Sequence, residues 1–124
     1  MVTDKEKLVQ IIKIQAEAFL LDAGEFYPFG TYIGKNGEIV PISTYLGDDY
    51  PESLDLIEFL EKALKEKLAN GCIRIAAIAI DILIKEDIKA YDAIEIRFYA
   101  NDNSFDKRKI RYEIHENLVH FFES

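Results

Sequence analysis

A chain of 124 residues, 49% of them hydrophobic and 31% charged, is long enough to bury a core of its own, so it is expected to form one domain. The formal charge of −8 argues against gripping a phosphate backbone, so no nucleic-acid partner is expected. The single cysteine excludes an internal disulfide, and no apolar run approaches the ~20 residues of a membrane-spanning helix.

The mixed charges of Met1 to Lys13 predict no secretory signal, which points to a cytoplasmic protein. Thr3-Asp4-Lys5-Glu6 has the spacing of a capping box. A first helix should run from there to about Ala23, burying Leu8, Ile11, Ile12, Phe19 and Ala23 and stopping at Gly24. From Glu25 the pattern turns aromatic and alternating, which reads as a hairpin. With Asn36-Gly37 as a two-residue turn, Ile33 would face Val40 and Thr31 would face Ile42, and Phe29, Thr31, Ile33, Val40 and Ile42 would share one side. Pro28 and Pro41 belong at strand ends or edges because they lack an amide donor.

A polar connection holding Tyr45, Asp48, Asp49 and Tyr50 leads into a second helix opening at Asp49-Tyr50-Pro51-Glu52 and ending near Asn70-Gly71. Its acids lie early and its lysines late, as the helix dipole favours, with Glu58–Lys62 and Glu61–Lys65 as spaced pairs. Leu54, Ile57, Leu60, Leu64 and Leu68 form its expected buried stripe.

Cys72 to Ile84 is the most apolar and β-branched run and predicts a long central strand, bent near Ala76, Ala77 and Ala79, with Cys72 packed in the core. Lys85 to Tyr91 reads as a loop, Ala93 to Ala100 and Lys107 to His115 as strands, and Leu118 to Phe122 as a short last strand or a packed tail. Placing Phe98 opposite Ile110 makes Ile94, Ile96 and Phe98 continuous with Ile78, Ile80, Ile82 and Ile84, and gathers Asp81, Glu95, Arg97, Arg111 and Glu113 on the other face. The expected architecture is α+β in the order α-β-β-α-β-β-β, a mainly antiparallel five-stranded sheet packed by two helices. The second sheet face, with Ile73, Ile75, Ala77 and Ala79, is too apolar to stay wet, so either the first helix crosses to it or a second subunit covers it.

Tyr27-Pro28-Phe29-Gly30, with Ile33, Gly37, Ile39 and Pro41, resembles a pattern in a family of small uncharacterised bacterial proteins. That likeness implies a fold and no activity. The element order is similar to that of roadblock and other profilin-like domains, which implies a regulatory or scaffolding module with helices on both sheet faces.

Three functional readings follow from the residues. Tyr27, Tyr32, Tyr45, Asp48, Asp49 and Tyr50, with the acidic second helix, suit a docking surface on a non-catalytic interaction module, expected to be a homodimer. An immunity-type protein masking a basic toxin surface is one case of it. Asp81, interrupting an apolar strand beside Glu95, Arg97, Arg111 and Glu113, suits instead a small-ligand binder or a hydrolase with paired carboxylates. His115 and His120 lack diagnostic metal spacing, and Asn101 to Asp106 lacks the glycine and glutamate of a calcium loop, so no metal or cofactor is expected.

Overall fold

The computed structural model describes residues 2–42, 52–101 and 105–122. In chain order these form α1 (Asp4–Ala23), β1 (Phe29–Gly34), β2 (Ile39–Ile42), α2 (Ser53–Ala69), β3 (Ile73–Glu86), β4 (Lys89–Ala100), β5 (Phe105–His115) and β6 (Leu118–Phe122). The sheet has six strands in the order β2-β1-β3-β4-β5-β6, each antiparallel to its neighbours. It thus exceeds the expected five by β6, which returns through Glu116-Asn117 with Glu116 at a φ of 51°.

Thr3 caps α1 through its hydroxyl, which accepts the Glu6 N–H at 3.2 Å, and Gly24 ends the helix at a φ of 77°. The buried stripe is Leu8, Val9, Ile12, Ala16 and Leu20. Phe19 and Ala23, expected inside, are exposed. Ala16, Ala77 and Ala79 belong to the core under α1, and Phe19 lies at its rim, edge-on to Phe29.

The β1–β2 register differs by one residue from expectation. Gly34 N–H donates to the Glu38 carbonyl at 2.8 Å and Gly37 N–H to the Gly34 carbonyl at 3.0 Å, so the loop holds Lys35, Asn36 and Gly37, with Gly37 at a φ of 92°. Tyr32 therefore pairs with Val40 and Ile33 with Ile39, which moves Val40 and Ile42 to the opposite face from Phe29, Thr31 and Ile33.

α2 buries Leu56, Leu60, Leu64 and Leu68 at strict four-residue spacing, leaving Leu54, expected inside, 64% exposed. The Glu61–Lys65 pair forms at 3.3 Å. Cys72 lies in the turn after α2, its N–H bonded to the Lys67 carbonyl, and is exposed where a packed thiol was expected.

β3 is the central strand, buried from Ile73 to Ile80 except at Arg74. Its irregularity falls at Arg74, not at the alanines: Ile33 pairs with Ile75 while Gly34 pairs with Ile73. β3 and β4 join through a two-residue turn, Asp87-Ile88, so both strands extend into the segment expected to be a loop. That turn sets Ile78 opposite Arg97 and Ile80 opposite Glu95. Ile94, Ile96 and Phe98 are consequently continuous with Ala77, Ala79 and Asp81, and not with Ile78 to Ile84. β5 sits four residues from its expected register, with Ile94 opposite Ile110, a shift that keeps Ile110 and Tyr112 on the Ile94 face.

The two helices lie on opposite faces. α1 packs on Phe29, Ile33, Ile75, Ala77, Ile96 and Phe98, whereas α2 packs on Ile73, Ala76, Ile78, Ile80 and Tyr99. α1 touches β1, β3 and β6, so the sheet curls around it from near one edge to the other. The second face is therefore covered within the chain, by the first helix. Coverage on both faces is why the start of β3 reads as an unbroken apolar run. Among the described residues no helix is long and apolar enough to cross a membrane.

Candidate functional site

The polar set expected around Asp81 is divided by the sheet. Asp81 faces α1, while Glu95 and Arg97 face the α2 side and pair with each other at 2.8 Å, Glu95 being only 7% exposed. Arg111 and Glu113 lie further along that α2-side face, where α2 does not reach. The Arg111 guanidinium stacks 3.6 Å from the Tyr91 ring centre, and Glu113 meets His115 at 3.1 Å. The two-residue turn at Asp87-Ile88 causes the division: it sets Asp81 opposite Ile94 across the ladder, so Asp81 cannot share a side with Glu95. Asp81 and Glu95, expected to share acid and base roles, are therefore not brought together.

Asp81 has different partners. Tyr112 donates its hydroxyl to Asp81 Oδ1 at 2.6 Å, and the Phe26 N–H donates to Oδ2 at 3.4 Å. Gly24 supplies the second contact by ending α1 and sending the chain across the sheet end. Burial pushes the Asp81 carboxyl above its ordinary range. The two hydrogen bonds oppose that rise, and Asp92 and Glu25 add to it. Burial, and then the hydrogen bond to Asp81 and its charge, raise the Tyr112 phenol in turn.

Asp81 forms part of the wall of a cleft of about 360 Å³ at the C-terminal end of α1. Asp22 and Glu25 supply further carboxylates, Phe19, Phe26 and Tyr27 supply aromatic walls, and Ser53 closes the side next to α2. Phe29 anchors the aromatic wall from the core, holding both Phe19 and Phe26 edge-on at 5.4 Å. Among the described residues no basic side chain lines the cleft, and neither Asp22 nor Glu25 has an ion-pair partner.

The chain matches no family model, no curated protein and no solved structure. Its function has to be read from its own surfaces.

A larger groove of about 720 Å³ runs between α2 and the β4–β5 end, lined by Glu61, Lys65, Leu68, Tyr99 and Phe105. Three of its polar side chains are engaged with one another: Tyr99 donates to Glu61 Oε2 at 2.7 Å, and Glu61 pairs with Lys65. The Tyr99 hydroxyl, more than any other neighbour, holds the Glu61 carboxyl below its ordinary range.

Of the expected docking residues, Tyr27 stands 48% exposed on the cleft rim, whereas Tyr32 lies on the α2 side, half-buried under Lys67. Tyr45, Asp48, Asp49 and Tyr50 lie outside the described residues. Among the described residues no three histidine, cysteine or acidic side chains converge as metal ligands. Sequence reasoning missed Tyr112 and Tyr99. Tyr112 alternates with Ile110 and Ile114 as a core residue would, and the β3–β4 and β4–β5 registers together aim it at Asp81.

Proposed function

We propose that the protein is a non-catalytic module that works by binding another protein with a basic surface, through an acidic and apolar region spanning the end of α1 and the first turns of α2. The observation that carries this reading is the exposure of large apolar side chains among unpaired acids. On α2, Leu54 and Phe59 are 64% and 50% exposed, and helical spacing sets Asp55 and Glu58 on the outer face between them. Ser53, the first residue of α2, borders the cleft, which sets Phe19, Asp22, Glu25 and Tyr27 at the N-terminal end of the same helix. Acids among apolar groups in the open suit a partner with basic residues around an apolar centre, and the charge of −8 steers such a partner in. An immunity-type protein is the case in which that partner is a toxin. The hydrolase reading loses the Asp81–Glu95 pair expected from the sequence, since the two lie on opposite faces.

The homodimer expected from the sequence would use a different surface, the sheet face of β4 to β6 beyond α2. Arg111 lies there between Tyr91 and Phe122, and Leu118 is exposed at the other end of β6. Light scattering of the purified chain tests it.

The principal test uses the immobilised chain to capture proteins from its host, side by side with a Leu54→Ala/Phe59→Ala variant, and then reconstitutes the complex from purified components. We expect a protein retained by the parent chain, lost by the variant, and bound more weakly as salt is raised. Retention identical for both baits, or binding indifferent to salt, would overturn the reading.

A further inference from the structure

We propose that the cleft at the end of α1 is a receptor for one arginine side chain presented by the protein partner. The inference rests on the interaction reading above and gives that partner its chemistry. Three features of the cleft carry it.

The first is charge. Asp22, Glu25 and Asp81 line a space whose wall, among the described residues, holds no lysine, arginine or histidine, so an anion is repelled and a cation is not. The second is the wall itself. Phe19 and Tyr27 are each close to half exposed, and Phe26 is fixed against Phe29. Aromatic faces beside carboxylates suit a cation with a flat, weakly hydrated head and an apolar stem, and guanidinium fits that description better than ammonium.

The third is the orientation of Asp81. A carboxylate has about four acceptor sites on its two oxygens. Tyr112 and the Phe26 N–H take one on each oxygen and hold the group in place. One site on each oxygen is left, a number that two guanidinium N–H donors can fill. Partial burial makes the ionised carboxylate costly when alone, and an incoming cation offsets that cost. At about 360 Å³ the cleft sits at the small end of ligand sites, which favours a single side chain over a larger metabolite.

The test is an amide-resolved NMR titration of the full chain with the blocked peptide acetyl-Gly-Arg-Gly-amide, the same peptide carrying citrulline for arginine, and free agmatine. We expect saturable shifts for the arginine peptide at Glu25, Phe26 and Tyr27, with a Kd on the order of 1 mM. Citrulline, which keeps the shape and loses the charge, should give no saturable shift. Glu25→Gln, at an exposed position, should weaken the arginine peptide, and Asp81→Asn should weaken it about tenfold if the fold is kept. Shifts that map to the Glu61 groove, equal binding of citrulline, or an affinity unmoved by Glu25→Gln would overturn the proposal. So would agmatine binding about tenfold more tightly than the peptide, which would make this a site for a free amine. A peptide that fails here while captured partner still depends on Leu54 and Phe59 removes the arginine receptor and leaves the interaction reading. Peptide binding with no captured partner does the reverse.

Discussion

The Tyr112 hydroxyl reaches over β4 to donate a 2.6 Å hydrogen bond to Asp81, tying the fifth strand to the third on the concave side of the sheet. Both groups are partly screened from water, so the bond joins a phenol to a carboxylate that has few other partners. Tyr112→Phe should cost about 1.5–3 kcal/mol near neutral pH, the range for hydrogen bonds to charged groups. The hydroxyl favours ionised Asp81, so its loss raises that carboxyl further and the cost should shrink as the pH falls and Asp81 protonates. Urea denaturation of both proteins at several pH values measures this. An equal cost at every pH would contradict it.

Asp81 itself should make the fold less stable as the pH rises. Its folded value lies above the ordinary 3.8, so the folded state holds the proton more tightly than the unfolded chain. Stability from this group is full below 3.8, declines as the pH rises through the raised folded value, and is gone above it. Asp81→Asn cannot titrate, so the stability difference between variant and parent should move in favour of the variant across that window. Thermal melts in matched buffers give the trend, and a drift the other way would mean that Asp81 is stabilised as an anion.

Glu61 behaves in the opposite sense. Tyr99 and Lys65 hold its carboxyl below 4.5, so its contribution is present above that value and lost as the pH falls through the depressed folded one. About a third of the side chain is open to solvent, so Tyr99→Phe should cost only about 0.5–1 kcal/mol near neutral pH and nothing resolvable in strong acid.

The seat of α2 on the sheet is tight at Gly30. A β-carbon there would stand 3.2 Å from Ile42 Cγ1 and 3.4 Å from Leu64 Cδ1, so Gly30→Ala should cost about 1 kcal/mol through overpacking. Leu64 is fully buried, and Leu64→Ala should cost about 2–5 kcal/mol. The added methyl points into the space the leucine vacates, so the double variant should lose less than the two single losses combined. Strict additivity would show that the two positions do not share a contact.

Local chemistry was legible in the sequence where one residue decides the outcome. Thr3 and Gly24 fix α1 at both ends, and the apolar run of β3 announces a strand covered on both faces. Facing was not legible, because it depends on turn counts that sequence constrains weakly. One extra residue in the Lys35–Gly37 loop turned Val40 and Ile42 to the other side, and the two-residue turn at Asp87-Ile88 separated Asp81 from Glu95. Tyr27 emerged as a rim residue because an exposed tyrosine beside a proline needs only local geometry. The pairing of Asp81 with Tyr112 needed two ladders to be right at once.

The most direct test of the interaction reading is hydrogen exchange by mass spectrometry on the chain alone and bound to its captured partner. The account predicts slowed exchange in peptides covering Phe19 to Phe29 and Ser53 to Phe59, with β5 and β6 unchanged by the partner. Protection confined to β4, β5 and β6, with the ends of α1 and α2 exchanging as in the free chain, would contradict it.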